Sequence, residues 1–548
     1  METTNKKGKF WIPLIMAACI VAGLLLGALL THNYEEKNGR RYSSLNKLSA
    51  LMSLIDARYV DTIDLSKMSE DLIPIVLQEL DPHSVYITAE ERKLTDEQLE
   101  GSFSGIGVEF RMLDDTIFVT AIVKGGPSEK AGLLAGDRIV AIDGSSSAGK
   151  GLYNDEVMKK LRGKKGSVVK VGVLRKGEKA LIDFSITRGD IPVYSVDARY
   201  KIGNEIGYVR IGDFGRNAHA EFLNAIAWLQ QQGCSRYIID LRGNTGGLME
   251  PALNIANEFL PDNRLILYTQ GKAYEREDVY SNGKGSCQDY PVVVLMDEWS
   301  ASSSEILAGA LQDNDRAWIV GRRSFGKGLV QTEIPFRDGS AVRLTVARFY
   351  IPSGRCIQKP YVNGADESYQ MDILNRYTNG ELGSKDSIHL IDSLRFETRG
   401  GRTVYGGGGI VPDYFVPLDT SGYTVWYTQV LNNGLISGFA YTYALDNKET
   451  LKNYQTVSKL SAYLDDQDLI TPFLHYATAR KVRGRPDFIS ISFPMVQRDI
   501  KSNIARMLLG EDAFWMVYQD KDPVMDKAIE VIVKATDVVV RKQPVKNG

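Results

Sequence analysis

Histidine and cysteine are scarce in this chain, five and four among 548 residues. Cys19, Cys234, Cys287 and Cys356 form no CxxC pair and no metal-ligand spacing, which argues against a zinc or dithiol site. Cys19 lies in an apolar run, so at most one disulfide is open to the other three. The histidines, His32, His83, His219, His389 and His475, make no HExxH motif and no dense cluster with acids. None stands in a recognisable triad, although a triad assembled in space stays open. Excess charge is also missing: the formal net charge is −2. With no long basic run, nothing draws the chain to nucleic acid. Internal repeats and low-complexity blocks are absent. What is present is an ordinary folded balance, 43% hydrophobic and 24% charged, at a length of about three or four domains.

The N-terminus carries the one long uncharged run, Phe10 to Leu30. At ~1.5 Å per residue it reaches ~31 Å, about one bilayer core. Lys6, Lys7 and Lys9 precede it, and Glu35 and Glu36 follow. That asymmetry predicts a single-pass anchor with residues 1–9 in the cytoplasm and the rest across the membrane. A cleaved signal peptide is the rival, but the run is long for one and no A-x-A site ends it. A lipoprotein role for Cys19 fits less well, because the apolar run continues past it.

Beyond the anchor the pattern changes in stages. Residues 31–98 show helical spacing, as at Leu45, Leu48, Leu51, Met52 and Leu54. Residues 99–190 read as a β-rich module, with strands near Ile117–Val123, Arg138–Ile142, Val168–Leu174 and Ala180–Thr187. Two short helices fall between them, near Ser128–Leu134 and Tyr153–Leu161. Residues 191–418 alternate strand and helix, which predicts an α/β core. Residues 419–548 read as polar and mostly helical, without legible chemistry.

Three segments of the α/β region carry candidate chemistry. A buried-type strand, Val292–Met296, leads through Ser300-Ala301-Ser302-Ser303-Ser304-Glu305 into a helix. Ser302 at that helix start would be an exposed nucleophile, with the Ser303 N–H placed for a developing oxyanion. Yet Ser302-x-x-Glu305 is also a capping box, which explains the same residues without catalysis. Phe325-Gly326-Lys327-Gly328 supplies a lysine that becomes a base only if burial or a nearby cation lowers its pKa. Gln331, four residues on, would share its strand face and orient the amine. Asp240-Leu241-Arg242-Gly243-Asn244-Thr245-Gly246-Gly247 ends a strand and starts a helix. Its glycines permit N–H groups to point into a cleft; a tight βα loop is the plain alternative. The spacing of a phosphate-binding lysine is absent.

Together these segments resemble the carboxyl-terminal processing peptidases, also called tail-specific proteases. The likeness runs over most of residues 40–418. Leu80-Asp81-Pro82-His83-Ser84-Val85-Tyr86 resembles the family's leading motif, and Phe103-Ser104-Gly105-Ile106-Gly107-Val108 the opening of its PDZ domain. Leu161 to Gly166 resembles a later PDZ segment, and Arg348 to Arg355 and Gly406 to Asp413 the closing core motifs. The resemblance implies a crotonase-like α/β peptidase core with an inserted PDZ domain. It implies Ser302 as nucleophile, Lys327 as general base and Gln331 as its orienting partner. The oxyanion donors would be the backbone N–H groups of Ser303 and of Gly246 or Gly247. Phe103 to Val108 would receive a substrate's C-terminal carboxylate, with Arg162 coupling tail binding to the active site. Ser303 departs from the family, where alanine is usual.

The expectation is therefore a serine endopeptidase of the bacterial inner membrane, its catalytic part on the periplasmic or extracytoplasmic side, cleaving envelope proteins near their C-termini. No cofactor and no metal are expected. The partners are protein substrates with accessible tails, the membrane through the N-terminal helix, and further copies of the chain through the region after 420. The rival is a noncatalytic membrane-anchored PDZ scaffold, which loss of Ser302 or Lys327 would have favoured. A crotonase-like acyl-CoA enzyme leaves the PDZ module and the Ser/Lys pair unexplained.

Overall fold

The computed structural model describes residues 16–18, 20–23, 25–26, 47–364 and 367–534. These fall into two compact units, residues 1–79 and 80–548. In the first, the helix Leu65–Gln78 starts at Asp64, whose carboxylate accepts the Lys67 N–H. Much of the expected membrane segment 10–30 lies outside the described residues. Among those described, no helix is long and apolar enough to cross a membrane.

The second unit is organised around a six-stranded sheet. Its order is Val196–Ile202, Ile206–Ile211, Arg236–Asp240, Val292–Met296, Trp318–Gly321 and Tyr414–Phe415. All neighbours are parallel except the first pair. The uninterrupted apolar run of Val292–Met296 follows from burial on both faces. Val292, Val294 and Met296 join one core with the helices Ala218–Gln231, Met249–Phe259 and Ser303–Asp313. Val293 and Leu295 face the other way, onto Val524, Met525, Ala528, Val531 and Ile532. That second cover is the helix Pro523–Lys534, from the stretch whose role the sequence left blank.

A second sheet stands beside it, in the order Val85–Ile87, Ala341–Tyr350, Leu265–Gln270, Glu277–Tyr280, with Leu329–Pro335 also paired to Ala341–Tyr350. The β-rich module has strands Val108–Leu113, Thr116–Ile122, Arg138–Ile142, Val168–Leu174 and Ile182–Thr187, in that sheet order. The helices Pro127–Ala131 and Asn154–Leu161 belong to it. Val108–Leu113 is an edge strand, open on one side.

The C-terminal helices form a core of their own. Phe439, Phe473, Val496 and Ile500 are among its buried residues. They also pack on the β-rich module, where Leu113 and Phe118 meet Tyr441.

Candidate active site

The turn after Val292–Met296 is shaped by side chains that satisfy its backbone. Asp297 Oδ1 accepts the N–H groups of Trp299 and Ser300 at 3.1 Å each. Three of the four neighbouring serines are committed to carbonyls. Ser300 Oγ donates to Leu241 O at 2.8 Å, and Ser304 Oγ to Asn244 O at 2.9 Å. Ser303 Oγ donates to Gly247 O and Leu248 O, both at 3.1 Å. The hydroxyl at the family's alanine position thus fastens the glycine turn to the helix. Among the described residues, Ser302 Oγ donates to nothing.

Ser302 also stands apart in its backbone. Its φ is 55° and ψ −113°, whereas an ordinary N-cap residue is extended. A non-glycine residue held there costs roughly 1–3 kcal/mol. Its surroundings fix it: a Cβ added to Gly246 would lie 2.8 Å from Ser302 Cβ, and one on Gly247 only 2.5 Å from Phe214 O. Both glycines have positive φ, 111° and 144°. The serine turn therefore touches the glycine turn at Gly246, while Gly247 is pressed against the Phe214 backbone, and neither position has room for a side chain.

Glu305 joins this turn to the lysine segment. It is fully buried. Its Oε2 accepts the N–H groups of Ser302 and Lys327, each at 2.8 Å. The two backbone nitrogens are therefore no further apart than twice that distance. Its Oε1 accepts Ser324 Oγ at 2.5 Å and the Gly326 N–H at 2.7 Å. Burial lifts the Glu305 carboxyl to about 7, against the pull of these donors. Sequence spacing showed only the capping box; the carboxylate's second role depends on contacts some twenty residues away.

Lys327 lies two residues before the strand Leu329–Pro335, which carries a bulge between Val330 and Gln331. Its ammonium still reaches Gln331 Oε1 at 3.1 Å. The Gln331 amide in turn donates to His83 O. Burial, with Arg343 adding to it, lowers the lysine pKa. Among the described residues Lys327 Nζ makes no hydrogen bond to Ser302. His83 is a further residue that its sequence context did not reveal. Its Nε2 lies 2.6 Å from Tyr369 Oη, and burial with the Lys327 charge brings its pKa down to about 4. Asp81 holds this turn by accepting from the His83 and Ser84 N–H groups, from Ser84 Oγ and from Thr345 Oγ1.

The structure narrows the expected oxyanion donors. The Gly246 N–H is already bound to Asn244 Oδ1 at 2.8 Å, so Gly246 is corrected from donor to spacer. Among the described residues, the N–H groups of Gly247 and Ser303 have no acceptor. These two flank the contact between the turns.

The β-rich module narrows in the same way. Phe103, Ser104 and Gly105 are not loop: they pair with Ile191, Asp190 and Gly189 in a short ladder. Ile106 and Gly107 remain as the loop, and among the described residues their N–H groups have no acceptor. Val108 opens the edge strand. Nearby, Ser104 Oγ and Ser128 Oγ are buried without hydrogen-bond partners among the described residues. Arg162 is not a solvated charge. Its guanidinium sits 4.1 Å over the Phe103 ring and donates to Glu97 at 3.2 Å. Among the described residues it makes no hydrogen bond or ion pair with the serine or lysine segments. Glu97 lies on the helix Ala89–Leu99, whose Arg92 pairs with Glu333 at 2.7 Å, on the strand that follows Lys327.

Residues 205–366 match the family model of peptidase family S41, and residues 104–186 that of the PDZ domain. Residues 426–510 match a family of unknown function, DUF8443. The chain is 36% identical over 358 residues to the carboxy-terminal processing protease CtpB of Bacillus subtilis strain 168, covering 65% of this chain and 73% of that one. It is 36% identical over 350 residues to the carboxy-terminal-processing protease of Bartonella bacilliformis, covering 62% and 79%. A solved structure, the photosystem II D1 C-terminal processing protease, is 30% identical over 57% of this chain and 90% of that one, with a TM-score of 0.32. The chain belongs to peptidase family S41, with the carboxy-terminal processing proteases, and is a serine-type peptidase that carries a PDZ domain.

Proposed function

We propose that the chain cleaves envelope proteins near their C-termini, with Ser302 as nucleophile and Lys327 as general base. The observation that carries this is the shared carboxylate oxygen of Glu305, which holds the Ser302 and Lys327 backbones together. The Ser302 hydroxyl, which donates to nothing among the described residues while its neighbours donate to carbonyls, supports the register. In the reaction, neutral Lys327 takes the Ser302 proton as Oγ attacks the scissile carbonyl. The carbonyl oxygen becomes the oxyanion, held by the N–H groups of Ser303 and Gly247. The lysine then returns the proton to the leaving amine, and water repeats the cycle on the acyl-enzyme. Gln331, itself fixed by His83 O, orients the amine.

The tail's terminal carboxylate would meet the free N–H groups of Ile106 and Gly107, and its backbone would add to the edge strand Val108–Leu113. Tail binding then favours a state in which Lys327 reaches Ser302. The helix Ala89–Leu99 is suited to carry that signal, because it bonds Arg162 at one end and the lysine strand through Arg92. A tail shifts the balance only by its differential affinity for the two states. Residues 10–30 anchor the enzyme, with the catalytic part on the extracytoplasmic side.

Cleavage of a tailed protein by residues 31–548 tests the reading. Ser302→Ala should abolish it while Ser303→Ala retains it. Arg162→Ala should lower the rate at saturating substrate. An unchanged saturated rate with weaker tail binding would make the PDZ domain a tether rather than a switch.

A further inference from the structure

The glycine turn begins at Asp240 and Arg242, and part of what holds that start comes from the far end of the chain. Asp240 is fully buried. It accepts Tyr208 Oη at 2.7 Å, Gln519 Nε2 at 3.1 Å and the Arg242 N–H at 2.9 Å, and the Arg242 guanidinium closes over it at 2.8 Å. Arg242 Nη1 then reaches Asp522 Oδ2 at 2.5 Å. Gln519 has no freedom left: its amide nitrogen also donates to Tyr208 Oη at 2.6 Å, and its oxygen accepts from Tyr200. Arg210 completes the cluster, donating to Arg242 O at 2.8 Å and lying 4.0 Å over the Trp515 ring.

The C-terminal residues complete the hydrogen bonding of this buried cluster. Two guanidiniums, Arg210 and Arg242, flank one buried carboxylate. Burial alone would raise the Asp240 carboxyl, but the two arginines outweigh it and hold it at about 2. Asp522 on Arg242, and Asp197 on Arg210 at 3.2 Å, give each guanidinium a second carboxylate partner. A buried cation stripped of its partner is strongly unfavourable. Losing Asp522 would leave Arg242 on Asp240 but take the acceptor from its Nη1, so the side chain would shift and loosen the turn at its root.

From that root the turn is rigidly continued. The Gly243 N–H donates to Asp297 at 3.0 Å, Asn244 Nδ2 to Ile211 O at 2.9 Å, and the Ala301 N–H to Asn244 O at 3.0 Å. Gly247 follows within a few residues, so a shift at Arg242 has little slack to absorb it. We propose that Gln519 and Asp522 are positioning residues for the oxyanion turn. On this view the C-terminal helical region, beyond covering the sheet, fixes the base from which the Gly247 N–H is presented. The inference rests on the catalytic reading above, and on Gly247 as donor in particular.

The test uses the full chain with Gln519→Met, Asp522→Asn and Asp522→Glu. It measures kcat and KM on a tailed substrate, the rate of serine phosphonylation by a small fluorophosphonate (which stands in for acylation), tail-peptide affinity and Tm. Gln519→Met and Asp522→Asn should lower kcat and the acylation rate about tenfold or more, with KM and tail affinity within about twofold. Asp522→Glu, which keeps the charge, should recover most of the loss. Unchanged kcat and acylation well below Tm, whatever Tm does, would overturn the inference and leave a structural role alone. A raised KM with unchanged acylation would also overturn it, by moving the effect to the substrate path. If these variants fail to fold, Tyr208→Phe removes one donor to Asp240 and keeps the packing; a smaller loss of acylation supports the inference and no loss overturns it. Activity surviving in Ser302→Ala, run in parallel, overturns premise and inference together. Loss there beside unaffected Gln519 and Asp522 variants overturns the inference alone.

Discussion

Two helices of this chain begin with the same sequence device and use it differently. Thr88-x-x-Glu91 and Ser302-x-x-Glu305 are both capping boxes. At Thr88 the backbone is extended, with φ −63° and ψ 158°, and Glu91 is exposed. Its carboxylate serves only the helix end, and its hydrogen bonds to Thr88 hold its pKa below the usual value. At Ser302 the backbone is strained, Glu305 is buried, and the same carboxylate reaches across to Ser324, Gly326 and Lys327. A local motif states which groups are able to bond. Burial and long-range partners decide whether the result is a cap or a clamp between distant segments.

The comparison is broken most severely at the two lead residues. Ser302→Ala should remove all measurable turnover, whereas Thr88→Ala should leave turnover intact and cost ~1 kcal/mol in chemical denaturation. Ser302→Gly sharpens it further. Relief of the strained φ should raise Tm in the inactive variant, offset in part by the unfolded-state entropy that glycine adds. A lowered Tm would mean that Ser302 is not strained.

Next come the two glutamates. Glu305→Gln presents an amide nitrogen where N–H and O–H donors already point, so at least one pair repels. Turnover should fall by about tenfold or more through the displaced lysine. Glu91→Gln should leave turnover within about twofold. The pH signs also oppose each other. Glu305 is raised to about 7, so the folded state binds the extra proton, and its contribution to stability declines as pH rises from 4.5 through about 7. Glu91 is lowered, so its contribution is present above 4.5 and lost as pH falls through its folded value. Stability curves of the two Gln variants against the parent should therefore diverge in opposite directions.

The lysine adds a smaller effect on stability. Its pKa is lowered from 10.5 by burial, so the unfolded state binds more protons and stability rises with pH toward 10.5. Lys327→Met should flatten that rise and increase Tm at neutral pH, while ending turnover. In the parent, activity should rise with pH and reach half its maximum below 10.5. Ionisation of Glu305 acts against that rise, because its charge favours the lysine ammonium.

Much of this site was legible in the sequence, because its parts are local. A buried strand, a small-residue turn and a helix place Ser302. Paired glycines mark the turn that meets it, and a lysine between glycines marks the other segment. What escaped depends on distance. Nothing around His83 reveals that its carbonyl will receive Gln331. The Gly246 N–H looked free until the Asn244 side chain folded back on it. The ladder between Phe103–Gly105 and Gly189–Ile191 shortens the expected binding loop to two residues. The region after 420 showed helical periodicity and no chemistry. The work of Gln519 and Asp522 lies in partners about 280 residues earlier.

The Ser302/Lys327 pair is tested most directly by finding which residue a fluorophosphonate phosphonylates. Tandem mass spectrometry of the labelled full chain should place a single adduct on Ser302, absent from Lys327→Arg, because arginine stays protonated and cannot take the serine proton. An adduct on Ser300, Ser303 or Ser304, or undiminished labelling of Ser302 in Lys327→Arg, would contradict the account.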